Sequence, residues 1–239
     1  KENNKWLLEN KRAKLAKELQ NWRPSTIKKP QNKADFFKML IVGASNTGKT
    51  YFLLDLLKNT LRDRYDTFIT VSPKPDNIEL YKQILPGKLF YNDLPDDVIR
   101  KFQIYNQEHT KKRRILLLLD DCSSDQNIVR YSSLLNALFM SGTHDHISTI
   151  VTTQYLTSVS PKIRGNTTFT VLFAINNGYE TLIKEQFNSL YNKNDEGEYT
   201  LSQMKYIIKL TLSDYHCIVI NNEKHGIYLQ DMMMVYKSP

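Results

Sequence analysis

Residues 43–50 read Gly-Ala-Ser-Asn-Thr-Gly-Lys-Thr, with the apolar run Phe36 to Val42 before them and a helical pattern from Lys49 to Leu61 after them. The octet fits G-x-x-x-x-G-K-[ST] at each fixed position, in the strand, glycine loop, helix order that a phosphate-binding loop requires. Clustered phosphate charge calls for several donors converging on one point, which a loop of inward-facing backbone N–H groups supplies. Gly43 and Gly48 permit backbone paths and close approaches that a Cβ obstructs, and the start of the helix adds its positive dipole end. Gly43, Ala44, Ser45, Asn46, Thr47, Gly48, Lys49 and Thr50 are therefore the expected ATP-binding residues. Lys49 is expected to reach the β and γ oxygens, and the Thr50 hydroxyl to ligate Mg²⁺.

Outward from this loop, further strands are expected at Thr67 to Val71, Ile115 to Leu119, Ile147 to Thr153 and Phe169 to Ile175, with amphipathic helical stretches between them. Such alternation specifies an α/β fold, a mostly parallel sheet covered by helices on both faces. Pro86 and Pro95 interrupt the helical patterns between Asp76 and Lys112. Near the C-terminus, Cys217 to Ile220 and Ile227 to Leu229 flank the polar stretch Asn221 to Gly226, which predicts a β-hairpin at the sheet edge.

Arg114 is followed by Ile115-Leu116-Leu117-Leu118-Leu119-Asp120-Asp121, so a wholly apolar strand delivers two carboxylates at its C-terminal end. Ligands of open α/β sheets sit at that end. Neighbouring strand residues face opposite ways, which predicts different tasks for the pair. Asp120 is the candidate for holding Mg²⁺ through water, and Asp121 for orienting and deprotonating the attacking water. The plainer reading is that the two aspartates cap the next helix. The following strand ends at Gln154, whose amide could contact both the γ-phosphate and that water. Arg164, in the loop Pro161-Lys162-Ile163-Arg164, either reaches a neighbouring subunit's nucleotide as an arginine finger or pairs with a local carboxylate. Arg113, Arg114 and Arg130 compete for the finger role.

The charge is uneven. The chain of 239 residues carries a net +8, and residues 1–35 alone account for +6. In that segment Trp6, Leu7, Leu8, Leu15, Leu19 and Trp22 fall on one stripe of a helix whose other face is basic, and Pro24 ends it. Arg23 to Asp35 reads as an extended linker. The division expected is thus 1–35, a basic amphipathic helix and linker, and 36–239, a P-loop ATPase domain. The helix either packs on the core through its tryptophans or serves as an arm for DNA or a partner.

Composition removes other classes. With 41% hydrophobic and 24% charged residues, the chain can bury a core and is not a disordered or collagen-like sequence. The longest aliphatic run, Ile115 to Leu119, falls far short of the roughly 20 residues that span a bilayer. Residues 1–22 lack the apolar centre of a signal peptide. Cys122 and Cys217 make neither a disulfide framework nor zinc-ligand spacing, which favours a reduced, intracellular setting. Asn192-Lys193-Asn194-Asp195 spells a guanine-reading motif, but it follows a helical stretch and is read as coincidence. His144-Asp145-His146 is read as a polar turn without a metal.

Taken together, the loop Gly43 to Thr50, the strand end Leu119-Asp120-Asp121, the strand end Thr152-Thr153-Gln154-Tyr155 and Ser160-Pro161-Lys162-Ile163-Arg164-Gly165-Asn166 resemble the FtsK/HerA superfamily of DNA-pumping ATPases. The nearest likeness within it is to genome-packaging ATPases of large double-stranded DNA viruses and virophages, over about Phe36 to Leu229. The resemblance implies a RecA-like core, a homo-oligomeric ring around double-stranded DNA, and ATP hydrolysis coupled to movement of DNA into a capsid. It also implies a capsid or portal partner and a location in the host cytoplasm, a viral factory or the virion. The superfamily's general base is often glutamate, where this chain has the shorter Asp121. Two other classes stay open on the residues alone: a nucleotide or small-molecule kinase, and a DNA-binding assembly factor that uses nucleotide without turnover.

Overall fold

The computed structural model describes residues 19–87, 89–122, 132–187, 200–212, 215–223 and 229–237. Among these, nine strands form one sheet. In chain order they are β1 (Gln20–Asn21), β2 (Lys38–Val42), β3 (Thr67–Val71), β4 (Phe90–Tyr91), β5 (Ile115–Leu119), β6 (Ile147–Thr153), β7 (Phe169–Leu172), β8 (His216–Asn221) and β9 (Met233–Lys237). They lie side by side as β1-β9-β8-β7-β2-β6-β5-β3-β4. From β7 across to β4 every pairing is parallel, whereas β8 runs antiparallel to both β7 and β9.

The central strands are buried on both sides, as their unbroken apolar sequences demand. In β5, Ile115, Leu117 and Leu119 enter one hydrophobic core while Leu116 and Leu118 enter the other. β2 divides likewise, with Leu40 and Val42 on one face and Met39 and Ile41 on the opposite one. The helices that close these cores include α1 (Lys49–Leu56), which continues into a single π turn, Leu57–Leu61. α2 (Pro75–Ile84) and α3 (Asp96–Glu108) are separated around Pro86 and Pro95, as the sequence requires. No helix among the described residues is long and apolar enough to cross a membrane.

Two edges differ from expectation. The strand predicted at Ile227 to Leu229 is found instead at β9, paired to β8 from Ile220↔Met233 to His216↔Lys237. Met232–Val235 is the more apolar stretch, and Met233 and Val235 bury against the sheet. Leu229 opens a single helical turn, Leu229–Met232, and Ile227 lies outside the described residues.

At the other end, residues 1–18 of the predicted N-terminal helix also lie outside the described residues. Gln20 and Asn21 are strand rather than helix: they pair in parallel with β9, and the Trp22 N–H donates to Val235 O at 2.7 Å. The backbone groups along that edge of β9 offer partners that an isolated helix end lacks. Trp22 is buried, its ring 5.9 Å from Phe52 and 5.6 Å from Tyr236 between centroids. The segment read as a linker is likewise tied down. It contains two 3₁₀ turns, Pro24–Thr26 and Lys33–Asp35, and buries Ile27. The Asp35 carboxylate accepts the Gln31 and Asn32 N–H groups, which holds it below the usual carboxylate pKa.

Candidate active site

β2 delivers its chain directly into the loop, and β6 lies between β2 and β5. The ends of these three neighbouring parallel strands therefore place the loop, Gln154 and the two aspartates along one edge of the sheet. The sequence supplies the residues, and the strand order makes them neighbours.

The loop is shaped by steric necessity. A Cβ on Gly43 would meet Phe173 Cβ at 2.5 Å and Thr47 Oγ1 at 2.8 Å, so only glycine fits there. Gly48 has φ +103°, a conformation costly to any side chain, and forms the N-cap of α1. Asn46 also adopts the left-handed region, which asparagine tolerates better than most residues. The Thr47 hydroxyl donates to Ala44 O at 2.8 Å and braces the turn. The Lys49 ammonium donates to Gly43 O and Ala44 O, each at 2.7 Å, so its charge is held over the loop. Burial lowers the pKa of Lys49, while the charges of Asp121 and Asp120 oppose that shift and Lys74 adds to it. These charged groups therefore share one electrostatic field.

The two aspartates have distinct surroundings. Asp120 is only 4% exposed. Its Oδ1 accepts from the Thr152 hydroxyl at 2.6 Å, and its Oδ2 accepts from Asn77 Nδ2 at 2.8 Å and from the Tyr81 hydroxyl at 2.7 Å. Burial first, then the nearby Asp120 charge, raise the Tyr81 pKa well above the ordinary phenol value, so this hydroxyl remains a donor. A carboxylate has about four lone-pair sites. Three are occupied here, which leaves Asp120 rigid with room for one further donor. That remaining site could accept a metal-bound water.

Asp121 has φ +55° and departs from strand geometry. Its N–H donates to Thr152 Oγ1 at 2.8 Å, so one threonine hydroxyl ties both aspartates together. The Asp121 carboxylate accepts from Gln154 Nε2 at 3.2 Å and forms an ion pair with Lys74. Gln154 Oε1 in turn accepts from Ser45 Oγ at 3.2 Å. A continuous chain thus runs Lys74, Asp121, Gln154, Ser45 and joins the acidic strand end to the phosphate loop. The hydrogen bond to Asp121 raises the Lys74 pKa. A raised lysine pKa contributes stability that is complete at neutral pH and lost only as the pH climbs through the folded-state value.

Lys74, Asn77 and Tyr81 escaped the sequence reading, and Thr152 entered it only as part of a strand end, without a role. Lys74 follows β3 and precedes Pro75, with no motif to mark it. Only the adjacency of β3 to β5 reveals it.

Arg164 lies apart from this cluster in its bonding. It sits in the short helix Pro161–Gly165, is 8% exposed, and donates from Nε and Nη2 to the two carboxylate oxygens of Glu185 at 2.7 and 2.6 Å. Its Nη1 donates to Val159 O at 2.5 Å. Of the two readings for this residue, the structure shows the local pairing, and service to a neighbour's nucleotide would require giving up all three bonds. Arg114 likewise holds Asp66 through two side-chain bonds, and Arg113 lies over the Tyr105 ring. Arg130 and residues 192–195 lie outside the described residues. In the His144 to His146 turn, the Asp145 carboxylate accepts from Gln103 and Gln107, and no metal-capable cluster occurs among the described residues.

Arg164→Ala removes these charge-assisted bonds and is expected to cost about 2 kcal/mol, or roughly 4–8 °C in Tm for a chain of this size. Differential scanning calorimetry checks this, and an unchanged Tm would show that the pairing does not stabilise the fold.

Compared with known proteins, residues 25–225 match the sequence family described as Poxvirus A32 protein. The chain belongs to that family. Uncharacterized protein 075L of Invertebrate iridescent virus 6 is 31% identical over 133 residues, covering 54% of this chain and 51% of the relative. The chain thus spans about half the length of that protein. Uncharacterized protein L437 of Acanthamoeba polyphaga mimivirus is 20% identical over 84% of this chain and 72% of its own. Among solved structures, the genome packaging NTPase B204 of Sulfolobus turreted icosahedral virus 2, in complex with AMPPCP, superposes with a TM-score of 0.59 at 12% identity, covering 87% of this chain and all (100%) of that one. EssC (ATPases 2 and 3) of Geobacillus thermodenitrificans gives 0.54 at 11% identity, over 84% of this chain and 40% of that chain. At such identities the likeness is one of fold, and the fold is that of the P-loop NTPases.

Proposed function

We propose that the chain is a Mg²⁺-dependent ATPase that moves double-stranded DNA into a viral capsid, working as a ring of identical subunits. The observation that carries the catalytic part is the chain of side chains from Lys74 through Asp121 and Gln154 to Ser45. It couples the residue that would activate water to the loop that would grip the phosphates.

In this reading Lys49 and the loop N–H groups hold the β and γ phosphates and neutralise the charge that develops on the leaving group. Thr50 and Asp120 would hold Mg²⁺, which screens the phosphate oxygens. Gln154 orients the attacking water, and Asp121 accepts its proton. The Lys74 ion pair occupies Asp121 until a γ-phosphate competes for the lysine, so hydrolysis waits for the triphosphate. Family membership and the fold shared with B204 favour genome packaging over a kinase, because B204 is described as a packaging NTPase.

DNA contact would run through the phosphate backbone, independent of sequence and steeply weakened by salt. Lys111 and Lys112, beside Arg113 and Arg114 at the opposite end of β5 from the aspartates, are the described basic residues best grouped for it. The test is phosphate release with and without double-stranded DNA, at two salt concentrations, together with the mass of the nucleotide-bound assembly. Stimulation by DNA that fades with salt, from an oligomer, is expected. Phosphate transferred to a small acceptor, or turnover indifferent to DNA, would overturn the motor reading.

A further inference from the structure

The mouth of the phosphate loop opens into a cavity of about 510 Å³, within the size range of nucleotide and cofactor sites. Among the described residues it is lined by residues 46–50 and by two tyrosines, Tyr51 and Tyr215. Both rings face outward, Tyr51 at 76% and Tyr215 at 74% exposure. Tyr51 sits in the first turn of α1, next to Phe52, which is wholly buried, so the helix turns one aromatic into the core and the other toward the cavity. Tyr215 reaches the same place from far along the chain. Because β8 runs antiparallel to β7, its first residues lie at the edge where β7 ends beside the loop, and Tyr215 immediately precedes β8.

Tyr215 has φ +59°. A bulky side chain in the left-handed region is disfavoured, and such strain gathers at ligand sites. Hydrophobic burial does not account for a ring this exposed. A nucleotide gripped by its phosphates in the loop would extend its sugar and base into the cavity beside these two rings.

We infer that Tyr51 and Tyr215 form the platform on which the nucleobase stacks, and that the site therefore accepts nucleoside triphosphates with little regard to the base. The inference rests on the phosphate site proposed above. Stacking engages the π face that every base possesses, whereas base selection needs hydrogen bonds to base edges. Among the described lining residues Asn46 is the single side-chain amide, and it belongs to the phosphate loop, not to the tyrosine side.

Calorimetric titration of the full chain with ATP, GTP, CTP and inorganic tripolyphosphate tests this. For the wild type, ATP and GTP are expected to bind within about tenfold of each other, with CTP weaker because its ring offers less stacking area. Tyr215→Ala is expected to weaken ATP and GTP about 5- to 100-fold while leaving tripolyphosphate unchanged, and Tyr215→Phe to restore both nucleotides. Tyr51→Ala should act in the same direction. Wild-type ATP affinity in Tyr215→Ala, a parallel fall in tripolyphosphate affinity, or a preference for one purine above a hundredfold would overturn the inference. Failure of the phosphate site itself looks different: tripolyphosphate would not bind the wild type, or would bind Lys49→Ala equally well.

Discussion

Lys49→Ala will release phosphate from ATP at least about a hundredfold more slowly than the wild type, the scale of losing one preorganised charge donor at a developing oxyanion. Lys49 Nζ lies 2.7 Å from both Gly43 O and Ala44 O, so the ammonium is already held over the loop before any phosphate arrives. Two of its three N–H donors are engaged there, which leaves one to meet an incoming phosphate. Alanine removes the cation and also unbraces those two carbonyls, so nucleotide affinity should fall along with turnover. Calorimetric ATP binding and a coupled phosphate assay, read on the same preparation, separate the two effects. Because the side chain is only partly buried, Tm should change little. Full activity in this variant would remove the phosphate-loop assignment and everything built on it.

The residues proposed to touch phosphate were legible in the sequence because each sits in a local pattern. The octet 43–50 is contiguous, and Asp120 and Asp121 close a run of five aliphatic residues. β3, β5 and β6 have the same bounds in sequence and structure, since each strand, rich in aliphatic and β-branched residues, is bounded on both sides by strongly polar ones or, after β3, by Ser72. What stayed hidden depends on contacts between distant segments. Lys74 meets Asp121 across 47 residues, and Asp120 meets Tyr81 across 39. Gln154 could be suspected from its place at a strand end, but its bonds to Asp121 and Ser45 follow from β6 lying between β2 and β5, an order that no local pattern encodes. The edges were misread for a related reason. An edge strand such as β1 is only two residues long and exists because β9 offers it a partner, so propensity alone reads its residues as the end of a helix.

Asp121→Asn should keep ATP binding near wild type and lower single-turnover hydrolysis by about 10²- to 10⁴-fold, the range attributed to a positioned general base. The substitution preserves shape and can still accept from Gln154, but an amide cannot take the proton of the attacking water. The structure makes Asp121 the better candidate of the two aspartates. Asp120 is locked by Thr152, Asn77 and Tyr81, with three acceptor sites filled, whereas Asp121 is held by Gln154 and a half-exposed lysine that can leave. Its left-handed backbone, φ +55°, also turns it out of the strand alternation that would otherwise send it away from its neighbour's side. The same variant reports on Lys74, because losing the carboxylate removes the partner that raises the lysine's pKa. Lys74→Met offers the complementary test. If the ion pair restrains Asp121, this variant should change the single-turnover rate at saturating ATP without abolishing the chemical step. Unchanged turnover in Asp121→Asn would move the base to another group, and Asp121 would then be a strut that orients Gln154 against the loop.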